Sequence, residues 1–279
     1  MQANLPIVPV YDLVFKDNDL LAATHGRSFW ILDDVTQIHQ ITDDLTSKPF
    51  YLMKPRDTYR VAGPGKNYQL AEFSTNHLRL PTYFLDAGEN PPDGIIVTYY
   101  LKDKPSEDEE VILSFLDSKG QMIKTFSSKK EEGQGSTGPP VGPRIPAGAG
   151  MNRFIWDTRH SDARKVPDDK AMEPVVIAPL ASPGTYQVVL TVAGQSQTET
   201  FDILKDPRVV ATQEDFQAQF DLLIKIRDKV SETNDSIVRL RSVKQQVDEW
   251  THRAATRSSA DTVSEAASAL QAKLSAIES

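Results

Sequence analysis

Residues 182–204 read SPGTYQVVLTVAGQSQTETFDIL, and they commit the chain to antiparallel β-structure. Tyr186, Val188, Leu190 and Val192 alternate with Gln187, Val189 and Thr191, the period of two that turns one side of a strand toward a core. Pro183-Gly184 leads into that strand and Ala193-Gly194-Gln195 turns it. Thr198 to Leu204 then returns with Phe201 and Ile203 facing inward.

Upstream the same grammar repeats. Ile95, Val97, Tyr99 and Leu101 form a second alternating run, followed by the acidic stretch Lys102 to Glu110, too polar for a core. Val111 to Leu116 and Gln121 to Phe126 flank Asp117-Ser118-Lys119-Gly120, a hairpin closed by a glycine able to take positive φ. Residues 127–150 are rich in Gly and Pro and are expected to be a disordered loop. Strand character returns at Asn152 to Asp157. About six antiparallel strands between 68 and 204 predict an immunoglobulin-like β-sandwich.

On the N-terminal side, residues 36–67 read as a connector with strand-like pieces, Phe50-Tyr51-Leu52-Met53 among them. Residues 1–35 read as a three-stranded meander: Val10 to Phe15, Leu20 to Thr24 and Ser28 to Leu32, with turns at Lys16–Asp19 and His25-Gly26-Arg27. A lone sheet of that size cannot cover two apolar faces, so its neighbours are expected to precede Met1. An apolar patch is expected around Phe29, Trp30 and Ile31.

Beyond Asp206-Pro207-Arg208 the period becomes helical. Thr212 and Asp215 make a capping-box-like start. Apolar stripes follow at Phe216, Phe220, Leu223 and Val230, then Ile237 to Trp250, then Val263, Ala267, Leu270, Leu274 and Ile277. Residues 205–279 are therefore expected to be an antiparallel helical hairpin or bundle that continues past Ser279. The predicted class is mainly β with a helical C-terminus.

A formal net charge of −8 argues against a nucleic-acid partner. No run of 18 apolar residues offers a membrane span. With no cysteine, disulfides and thiolate chemistry are excluded. The five histidines, at 25, 39, 77, 160 and 252, lie too far apart in sequence for a helical metal motif. Asp33-Asp34, Asp43-Asp44 and Asp168-Asp169 are adjacent pairs whose side chains diverge on a strand, unlike the facing carboxyls of a glycosidase. Glu107-Asp108-Glu109-Glu110 lacks the spaced ligands of a calcium loop, and Gly63-Pro64-Gly65-Lys66 lacks the spacing of a phosphate loop. Tyr99, Tyr100 and Trp156 could stack on sugars but alternate as core residues do. No catalytic, cofactor or metal residue is predicted.

NLPIVPVYDLVFKDNDLLAATHGRSFWILDD (4–34) resembles the last blade of sortilin-type, BNR-repeat β-propeller proteins, often catalogued as bacterial glycosyl hydrolases. GMNRFIWDTR (150–159), SPGTYQVVLTVAGQ (182–195) and KDPRV (205–209) resemble points of the region that follows that propeller. The hairpin VILSFLDSKGQMIKTF (111–126) is similar to the Ig-like domain of the flagellar hook-capping protein. The resemblance implies a secreted or periplasmic parent and carries no activity onto these residues, since the S-x-D-x-G-x-x-W Asp-box is absent. The expected role is a non-catalytic accessory, structural or interaction region. Its partners would be its own propeller blades, another protein or a glycan. The alternatives are an accessory part of a sialidase-like glycoside hydrolase and a carbohydrate-binding β-sandwich.

Overall fold

A computed structural model describes residues 5, 7–61, 91–129, 143–167, 177–254 and 260–278. The chain divides into two compact units: Met1–Arg159 with Leu180–Phe216, and His160–Pro179 with Gln217–Ser279. The expectations for Gly63–Lys66, His77 and Asp168-Asp169 fall outside the described residues.

In the first unit, β1 (Val10–Lys16), β2 (Asp19–Thr24) and β3 (Phe29–Leu32) form the expected antiparallel meander. The β1–β2 turn places Asp17 and Asn18 at φ 52° and 68°, the left-handed pair that matches strand twist in a two-residue hairpin.

The remaining strands make two sheets. β4 (Phe50–Leu52), β6 (Ile95–Leu101) and β9 (Gly150–Trp156) form one, in the order β4-β6-β9. β5 (Thr58–Arg60), β7 (Val111–Asp117), β8 (Met122–Ser127), β10 (Gly184–Val192) and β11 (Gln195–Lys205) form the other, in the order β5-β11-β10-β7-β8. All pairings in these two sheets are antiparallel except β5 with β11, where Thr58 lies beside Ile203. The stretch expected as a connector thus supplies one strand to each sheet. Those strands have three residues each, too short for a two-residue period to declare itself.

The alternating residues read from sequence fill a core shared by both sheets. Ile95, Val97, Tyr99 and Leu101 meet Leu113, Phe115, Tyr186, Val188, Leu190, Phe201 and Ile203 there. Each such side chain contributes about 1.5–3 kcal/mol by leaving water. Trp156 lies at the centre, its ring stacked on Phe115 at 4.3 Å between centroids. Within the Gly/Pro-rich loop, residues 130–142 are outside the description, but Ile145 is buried in this core and its N–H donates to Ser127 O at 3.2 Å. One apolar side chain among glycines and prolines gives no periodic signal, yet it is enough to hold the chain.

The β10–β11 turn holds Ala193 at φ 48° and Gly194 at φ 76°. A left-handed alanine carries a steric penalty that asparagine tolerates far better. Ala193→Asn is expected to raise stability by ~0.5–1 kcal/mol, read as a higher urea midpoint with unchanged slope.

Helix α1 (Gln213–Ala254) begins where sequence placed it. Thr212 N–H donates to the Asp215 carboxylate at 2.8 Å and Asp215 N–H donates back to Thr212 Oγ1 at 3.2 Å, a reciprocal cap. Asp206 accepts from the Arg208 guanidinium at 2.7 Å, which lowers its pKa to about 2. A depressed carboxylate stabilises the fold above its unfolded pKa, and that contribution fades as pH falls toward about 2. Asp206→Asn is therefore expected to flatten the acid limb of the stability curve between pH 4 and 2, with little change in the curve's shape at neutral pH.

The second unit comprises most of α1, helix α2 (Ala260–Glu278) and residues 160–167. The Gln271 carboxamide donates to the Asp248 carboxylate, linking the helices. Many residues of the expected apolar stripes are exposed: Leu223, Val243, Trp250, Leu270 and Ile277. The buried α1 positions of this unit are instead Ser231 and Asn234. Ser231 Oγ accepts the Arg164 N–H at 3.1 Å, and Asn234 Nδ2 donates to Arg164 O at 2.6 Å. Polar side chains occupy the helix face because a non-helical backbone crosses it and needs partners.

Candidate functional site

The β1–β3 sheet is the most unusual surface of the first unit. Every residue of β1 is exposed, on both faces. Tyr11, Phe15 and Phe29 have 70%, 64% and 76% of their surface in solvent, with Leu13, Val14 and Ile31 exposed beside them. Aromatic and branched side chains at this density on one small sheet exceed the scattered apolar residues of an ordinary surface. The patch expected around Phe29 and Ile31 is present. Trp30 is half-buried, its Nε1–H donating to Arg27 O at 2.9 Å.

Side-chain-to-backbone hydrogen bonds fix three of the segments that carry the resemblance. In Thr24–Trp30, Gly26 takes φ 72° and Thr24 Oγ1 donates to Ser28 O at 2.7 Å. In Trp156–Arg159, Trp156 Nε1–H donates to Arg159 O at 3.0 Å and Asp157 accepts the Arg159 N–H at 3.1 Å. Thr158, between them, stands at φ 59° and its carbonyl accepts Ala181 N–H at 2.7 Å. A left-handed β-branched residue is strained, and here the strain turns the chain out of β9. Tyr186 Oη–H donates to Ser182 O at 2.7 Å, and burial, with Asp117 nearby, pushes its pKa up to about 12.

No protein-family model matches this chain, and no curated protein does.

The residues weighed for chemistry are dispersed. Tyr11 meets the His25 ring edge-on at 5.1 Å, and His160 packs against Phe220 at 4.7 Å. His39 closes a 3-10 turn and His252 lies in the last turn of α1. Among the described residues no group of three or more His, Asp or Glu side chains could hold a metal ion. Burial and the neighbouring Asp19 raise the Asp33 pKa, whereas Thr42 and Lys48 lower that of Asp44. Asp34 accepts from Thr36 Oγ1 at 2.5 Å. Glu109 accepts the Ser106 N–H at 2.9 Å within the acidic run, and Glu110 accepts from the Ser127 hydroxyl at the end of β8. Tyr99 and Trp156 are fully buried and can stack on no sugar; Tyr100 is half-buried.

A depression of about 440 Å³ is lined by Asn18, Thr36, Gln40, Lys54 and Arg56. Several of its polar groups already have protein partners: Gln40 bonds both N–H and C=O of Lys54, and Arg56 bonds Asp17 and Asp19. Among the described residues no helix is long and apolar enough to cross a membrane. Among the described residues, the β1–β3 sheet offers apolar contact area on both of its faces.

Proposed function

We propose that this chain is a non-catalytic interaction region of a secreted or periplasmic β-propeller protein, and that the β1–β3 sheet packs against further propeller blades. The observation that carries the reading is the exposure of Tyr11, Leu13, Phe15, Phe29 and Ile31 on both sides of one small sheet. A sheet with two apolar faces is stable once both are covered by other layers.

An immunoglobulin-like reading of the two sheets behind it is supported by their strand order. β4-β6-β9 follows the A-B-E pattern, and β11-β10-β7 follows G-F-C. Tyr186 near the start of β10, bonded to a carbonyl four residues earlier, matches the tyrosine corner of that fold. Gln271 bonded to Asp248 is consistent with a helical hairpin after it.

The chain is expected to enhance the fluorescence of an apolar dye such as anilinonaphthalene sulfonate. The paired substitution Leu13→Lys and Phe29→Lys should lower that signal while leaving the thermal unfolding of the two-sheet core in place. An absent dye signal would count against the reading. So would hydrolysis of an aryl glycoside that a single carboxylate substitution abolishes.

A further inference from the structure

Among the described residues the β1–β3 sheet has no extensive contact with any strand of the other two sheets. Its tip is nevertheless firmly held. The left-handed pair Asp17 and Asn18 turns two carbonyls outward, and both find donors. Arg56 Nη2–H donates to Asp17 O at 2.7 Å, and Val35 N–H donates to Asn18 O at 2.8 Å. Asp19 Oδ1 accepts the Asp34 N–H at 2.9 Å and lies 3.4 Å from Arg56 Nη1.

The other end of this contact is anchored in the core. Arg56 sits on the link between β4 and β5, so one neighbouring strand belongs to each of the two sheets. Leu52 and Met53, just before it, are fully buried. Lys54 N–H donates to Gln40 Oε1 at 2.8 Å, and Asp57 accepts the Asp202 N–H at 2.9 Å. The link cannot drift without breaking bonds to both sides. Guanidinium geometry matters as well: two nitrogens of one planar group reach two acceptors on one turn, whereas an ammonium offers its donors from a single point on a shorter side chain.

We infer that Arg56 is the clamp that fixes the β1–β3 sheet to the two-sheet core, gripping the hairpin tip and leaving both faces of the sheet clear. The clamp acts whatever covers those faces. It makes the exposed sheet a rigidly presented surface rather than a tethered one.

Hydrogen–deuterium exchange on the full chain tests this, because a three-stranded sheet alone is marginal and its amide protection reports its docking. Losing a charge-assisted bond of ordinary strength in Arg56→Met should speed exchange in β1 and β2 by roughly tenfold to a hundredfold. Amides of β6, β7 and β10 should keep their protection. Arg56→Lys, with a shorter side chain and all its donors on one nitrogen, should recover part of the loss at most. Unchanged exchange in β1 and β2 for Arg56→Met would overturn the clamp. So would an equal loss across β6, β7 and β10, or full recovery by lysine.

Discussion

Trp156→Ala is expected to lower the unfolding free energy by ~3–5 kcal/mol, the range for removing a large buried aromatic. Trp156 is fully buried and meets three other rings in one cluster. It stacks on Phe115, and Tyr186 and Phe201 stand 6.4 Å from it in edge contacts. The deletion also strips Arg159 O of its 3.0 Å indole donor, at the strained turn through Thr158. Set against the 5–15 kcal/mol that typically holds a domain together, such a loss brings the first unit near its limit. Trp156→Phe separates the contributions. It retains a ring against Phe115 but lacks the N–H, so about 1–2 kcal/mol should be lost from the missing bond and reduced volume. Urea unfolding followed by far-ultraviolet circular dichroism checks both variants. A midpoint for Trp156→Ala within error of the parent would show that the cluster is not the core's centre.

Much of that core was legible because burial on one face leaves a period of two. Tyr186, Val188 and Leu190 are buried as their alternation predicts, and Val111–Asp117 pairs with Met122–Ser127 around Gly120 as its turn chemistry predicts. The helix start was legible for the same local reason: Thr212 and Asp215 are three residues apart and cap each other. What escaped depends on distant partners. Thr58 pairs with Ile203 across about half the chain, and nothing in a three-residue strand announces that register. Arg56 and Asp19 are ordinary surface residues until the fold brings them together. On α1 the stripe rule misleads, since Ser231 and Asn234 are buried to satisfy the backbone at Arg164 while Leu223 stays in water. The absence of a catalytic constellation was an expectation from spacing alone.

Gly94→Ala is the second substitution expected to have a large effect, and its cause lies in the backbone. Gly94 stands at φ 117°, immediately before β6, where Ile95 pairs with Trp156. A Cβ built there would lie 2.2 Å from Trp156 O and 3.0 Å from Trp156 C. Neither obstacle is a flexible side-chain end, so relief requires moving β9 or the end of β6. The conformational penalty for an L-residue at such a φ is about 1–2 kcal/mol, and forcing an overpacked contact adds about 1–3 kcal/mol. A total of about 2–5 kcal/mol is expected. Gly120 is the matched control: it too has positive φ, 78°, but an added Cβ would meet nothing within 4 Å. Gly120→Ala should therefore cost only the conformational part, about 1 kcal/mol. The gap between the two urea midpoints measures the close approach of Gly94 to the Trp156 carbonyl. Equal shifts for the two variants would mean that β6 and β9 can separate at this end, leaving the clash without force.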